Sequence, residues 1–233
     1  MEQEEKIRKP RIVRLYKHFA NYWLTDASFG LQLLILIFTA FALPILIEYG
    51  HVEMLFVNLV FLFLFFTGIF SARERFLIFL TSGLFFTQLG LRLLRFSDLP
   101  VEFYLMERIV GILNMSVFIF LNIRLLFRDN EVNVYRVIGA INVYLSLAIL
   151  GAFVFEIIHL NIGSSIAGEL VLSGIDEDFS NYMYFSLVSL TTVGFGDLYP
   201  ANIMSKMLAG FLSTVGILYP AVVIARLVGS TRK

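Results

Sequence analysis

The 233-residue sequence contains no cysteine, which excludes disulfides, zinc–thiolate sites and thiol chemistry and leaves the redox compartment unmarked. Net charge is missing as well. Eighteen Lys and Arg stand against 18 Asp and Glu, so bulk charge points to no partner and only its distribution along the chain informs. No Ser/His/Asp grouping, metal-ligand cluster or phosphate loop is present, so the chain is read as a non-enzyme that needs no cofactor. A cleavable signal peptide is not expected, because the first residues are charged and the first long apolar run begins only near Phe29. What the chain has in excess is apolar surface. It is 58% hydrophobic with a mean hydropathy of +0.82, beyond the roughly half expected of soluble domains. This composition implies an integral membrane protein in contact with the lipid bilayer.

Residues 1–28 carry Lys6, Arg8, Lys9, Arg11, Arg14 and Lys17, and after Pro10 the apolar Ile12, Leu15, Phe19 and Trp23 recur at helical spacing. The pattern predicts a basic amphipathic helix at the cytoplasmic interface, either as an anchor that fixes orientation or, by resemblance, as the slide helix of some potassium channels. A basic stretch running straight into a membrane segment makes nucleic acid a poor partner. Six apolar stretches follow at about 29–47, 52–70, 76–94, 105–127, 137–160 and 203–228, each near the roughly 20 residues that a spanning helix needs. Basic clusters at the N-terminus, at Arg73 and Arg75, and at Arg124, Arg128 and Arg136 alternate with the acidic Glu48 and Glu53, which places both termini in the cytoplasm.

Arg92, Arg95 and Arg108 strain that rule, although Asp98, Glu102 and Glu107 are close enough in sequence to pair with them. Arginines every third residue would suggest a voltage sensor, but Arg92 and Arg95 are the only such pair and the fourth span has no ladder. Asn58, Asn114, Asn122 and Asn142 fall inside spans, where they either line a water pathway or glue helices together. His51 and His159 sit at membrane borders, as candidate pH sensors or as ordinary interfacial residues.

The stretch 181–200, NYMYFSLVSLTTVGFGDLYP, organises the chain. Gly194 and Gly196 alternate with side-chain-bearing residues, and glycine reaches left-handed backbone at no steric cost, so successive carbonyls can face one axis. A tight turn between helices would use glycines for geometry alone. The run Thr192-Val193-Gly194-Phe195-Gly196-Asp197 resembles the selectivity-filter signature of potassium channels, a resemblance detailed over about 137–226. The resemblance implies that the carbonyls of Thr192, Val193, Gly194 and Phe195 and the Thr192 hydroxyl bind K+ as the permeant ion, with Gly196 completing the filter. It further implies a pore helix over 182–191, support of the filter by Asp197, Tyr184, Phe185 and Thr191, and a homotetramer, because one strand cannot enclose an ion. Phe195 replaces the family's common tyrosine, as in several two-pore-domain channels, and is expected to pack against Tyr184 and Phe185. Tyr199 matches the outer-mouth aromatic position for external tetraethylammonium. Gly216 matches the gating-hinge glycine, with Pro220 near a proline motif; close packing by small residues is the alternative for this helix.

The expected architecture is therefore all-α: six transmembrane helices with a re-entrant pore loop. Residues 1–28 form an interfacial helix, 29–128 a four-helix domain without an evident voltage sensor, 137–228 the pore domain and 229–233 a short cytoplasmic tail. The sequence stops five residues after Val228, so no cytoplasmic ligand-binding domain is expected. The function expected is a potassium-selective channel of the cell membrane. A weakly selective cation channel, a non-conducting regulatory subunit and a potassium-transport subunit are the alternatives.

Overall fold

A computed structural model describes residues 28–72, 74–95, 103–127, 134–170, 172 and 176–230. Residues 1–27 of the expected basic helix, 231–233 of the expected tail, and Arg73, Asp98, Glu102 and Arg128 lie outside these residues. Among the described residues, six helices are long and apolar enough to cross a membrane: α1 Ser28–Glu48, α2 Met54–Ser71, α3 Arg75–Arg95, α4 Tyr104–Phe127, α5 Val134–Ile162 and α7 Ile203–Ser230. At 1.5 Å per residue the shortest, with 18 residues, extends about 27 Å, close to the thickness of a hydrocarbon core. The chain is a multi-pass membrane protein. Helix α6, Phe179–Leu190, has only 12 residues and is too short to span.

Local irregularities follow from the residues. Pro44 has no N–H and its ring crowds the preceding turn, and α1 widens into a π segment at Phe38–Ala42 immediately before it. The all-α expectation needs one addition. Strand β1, Ile166–Gly168, pairs antiparallel with β2, Leu198–Pro200, with Ala167 opposite Tyr199. This pairing brings the chain after α5 and the chain before α7 together.

Helix α5 is the axis of the fold, with 67% of its most apolar window buried, whereas α7 buries only 17%. One apolar core runs through both halves of the chain and joins α1, α2, α4, α5 and α6. At its centre Phe61 of α2 meets Phe153 of α5 at 5.4 Å and Phe179 of α6 edge-on at 5.0 Å. Such aromatic pairs add about 0.5–1.5 kcal/mol each beyond area burial.

Toward the other end, Asn142 donates to the Phe29 carbonyl at 3.0 Å and to Asn122 Oδ1 at 3.1 Å, while Asn122 donates to Gln32 Oε1 at 3.2 Å. Asn122 and Asn142 thus bond α1, α4 and α5 to one another, the gluing role open to intramembrane asparagines.

Candidate functional site

Segment 192–197 begins where α6 runs out of helical partners. Thr191 caps the helix, its N–H and hydroxyl both donating to the Leu187 carbonyl at 2.8 and 2.7 Å. The next N–H groups fold back onto the same helix end, Thr192 to Ser189 O and Val193 to Val188 O, each at 3.1 Å. The backbone then alternates: φ is +61° at Thr192, +56° at Gly194 and +85° at Gly196, with no positive φ at Val193 or Phe195. In a regular strand successive carbonyls point to opposite sides, and alternation of hand turns them toward one. Glycine takes this conformation freely, but Thr192 holds it at a cost of about 1–3 kcal/mol, so its surroundings must enforce it. The glycines were legible in the sequence; the strained threonine was not.

Three contacts hold the far end of the segment. Tyr184 Oη donates to Asp197 Oδ2 at 2.7 Å, which keeps the Asp197 carboxyl below the usual carboxylate range. The β1–β2 pairing and the Ala201 N–H, which donates to Ser165 O at 3.0 Å, fix the chain beyond it. Phe185 is buried edge-on against Phe155 at 4.9 Å. The expected packing of Phe195 against Tyr184 and Phe185 is not found within the chain. Tyr184 is turned to Asp197 and Phe185 into α5, leaving Phe195 72% exposed with no ring contact among the described residues. Val193 and Tyr199 are exposed as well.

Helix α7 closes on the base of this segment. Ser213 Oγ donates to Ser189 O at 2.9 Å, Tyr144 Oη of α5 donates to Leu190 O at 3.4 Å, and Ser186 Oγ donates to Ala148 O at 2.6 Å. Gly216 lies directly on the Leu190 carbonyl, where a Cβ would collide with backbone oxygen. This contact gives Gly216 a packing role. Pro220 sits one turn further inside α7, which continues to Ser230.

A second polar assembly lies where α3, α4 and α5 meet the start of α6, and sequence reasoning did not assemble it. Arg92 Nε donates to Glu107 Oε1 at 2.7 Å and its Nη1 to the Asn58 carbonyl; Arg95 reaches Glu107 at 3.3 Å and Asp176 at 2.8 Å. Arg108 pairs with Glu156 at 2.8 Å and donates to Asp176 and, at 2.8 Å, to Tyr104 Oη, which donates to Glu156. Three guanidiniums thus face three carboxylates, and all but Arg95 are at most 2% exposed.

Burial alone would raise the Asp176 carboxyl, but Arg108 and Arg95 outweigh it and hold it below the usual range. Removing one partner of such a buried set costs about 3–5 kcal/mol, because a charge is left uncompensated. Of the partners suggested by sequence proximity, Glu107 is placed here, and Asp98 and Glu102 lie outside the described residues. Glu156 carried the overlooked signal: a carboxylate inside an apolar span requires a counter-charge.

Residues 143–233 match a family model described as ion channel. The match covers most of α5, all of α6, the alternating segment and α7, and supports an ion-channel function for this part of the chain. No curated protein and no solved structure matches the chain.

Proposed function

We propose that the chain is the subunit of a homotetrameric, potassium-selective channel whose filter is segment 192–196. The observation that carries this reading is the left-handed backbone at every second residue, Thr192, Gly194 and Gly196, in a segment whose side chains Val193 and Phe195 stay exposed on the protomer. A cation stripped of water needs a cage of oxygens, and carbonyls of Thr192, Val193, Gly194 and Phe195 with the Thr192 hydroxyl supply one strand of it. The C-terminal carbonyl end of α6, carrying partial negative charge, favours a cation just below the strand.

Four copies around a cyclic axis complete the cage and cover the apolar faces that α7 leaves open, including Met207, Phe211 and Leu218, all at least 57% exposed. Phe195 is then braced by a neighbouring copy, and α6 with the filter forms the re-entrant pore loop, entered from the outer face of the cell membrane with both termini inside.

The test is the reversal potential of currents from the purified chain in planar bilayers, with potassium on one side and sodium on the other. A value close to the potassium equilibrium potential, with block by barium, is expected. A value near zero would leave a weakly selective cation channel, and silence from correctly assembled protein would point to a regulatory or transport subunit.

A further inference from the structure

We propose that Asp176 and the guanidiniums it gathers form a latch that positions α6, so that the four-helix half of the chain sets how long the pore stays open. This rests on the channel reading above. Asp176 opens the 3-10 turn Asp176–Asp178 that leads without a break into α6. It takes Arg95 from α3 and Arg108 from α4, while Arg108 also holds Glu156 of α5 and Arg92 ties α3 to Glu107 of α4. The first turn of α6 has a further tether: Ser180 Oγ donates to Glu48 Oε2 at the end of α1, at 3.1 Å.

A set that only neutralised buried charge would have no need to converge on the turn that leads into the pore helix. Helix α6 is a single rigid rod of 12 residues, about 18 Å long. Its far end carries Leu190, against Gly216, and then the alternating segment. A shift of α3 or α4 against α5 therefore reaches the filter through Asp176. The three arginines act in this arrangement as mechanical ties, and Asp176 is a positioning residue.

The full-length chain is compared in planar bilayers with Asp176→Asn and with the charge-balanced pair Arg95→Gln/Asp176→Asn, which removes one charge of each sign. Both variants are expected to lower open probability about tenfold, within the range of coupling between sites, with the reversal potential unchanged. Wild-type open probability in Asp176→Asn, or its recovery in the balanced pair, overturns the latch, since charge balance alone would then suffice.

Amide exchange across residues 179–183 of the balanced pair provides a readout that needs no current. Exchange about tenfold faster than wild type is expected, and unchanged protection overturns the proposal. A wild-type reversal potential near zero would instead remove the potassium reading and leave the open-probability comparison standing.

Discussion

At the scale of single residues, the bond from Tyr184 to Asp197 has a testable pH signature. A carboxyl whose folded value is depressed contributes fully above its unfolded value, about 4, and loses that contribution as pH falls through the lower folded value. External acidification to about pH 5 should therefore leave the Asp197 support intact. Tyr184→Phe removes the donor that depresses the carboxyl, so its currents should fail at a higher external pH than wild type. Coincident pH–current curves for the two proteins would show that the bond does not support conduction. Tyr199, exposed beside β2, offers a second test. Four rings at about 0.5 kcal/mol each sum to about 2 kcal/mol of cation–π attraction. External tetraethylammonium block should thus weaken more than tenfold in Tyr199→Val, and unaltered block would remove the ring from the mouth.

Between elements, α7 meets the end of α6 with no room for a side chain at Gly216. Gly216→Ala places a Cβ on the Leu190 carbonyl, backbone that cannot step aside. Overpacking of this kind costs about 1–3 kcal/mol, and α7 must move away from the base of segment 192–197. The variant should melt earlier in detergent and show altered open probability. Gly210→Ala, with nothing within 4 Å of its added Cβ inside the chain, should leave the packing of α7 on Leu190 undisturbed.

The elements themselves were legible in the sequence because their signals are local. Six apolar runs near spanning length gave six helices within a few residues, and the glycine spacing of 194 and 196 marked the alternating segment. What was not legible depends on distance along the chain. Arg108 and Asp176 are 68 positions apart and Tyr104 and Glu156 are 52 apart, so no window of sequence contains the pair. The β1–β2 strands, three residues each, are too short for a period-2 pattern and exist because the folded ends meet.

On the scale of the whole molecule, the same charge network decides what membrane potential can do. Moving one elementary charge through the full field is worth about 2.3 kcal/mol per 100 mV, so one arginine per chain in four chains would supply about 9 kcal/mol. Arg92, Arg95 and Arg108 are the charges that sequence alone would nominate. Each is paired with Glu107, Glu156 or Asp176, and the set is neutral.

Displacing any one of them breaks pairs with carboxylates anchored on α4, α5 and the start of α6, and that loss offsets much of what the field provides. Aromatic faces add to the hold, with Tyr104 4.6 Å from Arg95 and 4.8 Å from Arg108. Normalised conductance of the reconstituted channel should accordingly stay nearly constant between about −100 and +100 mV, an interval over which a free sensor of one charge per chain would swing the equilibrium by about 18 kcal/mol. A steep, saturating conductance–voltage curve would mean that these arginines move. Charge-neutral pairs such as Arg92→Gln/Glu107→Gln would then have to flatten it.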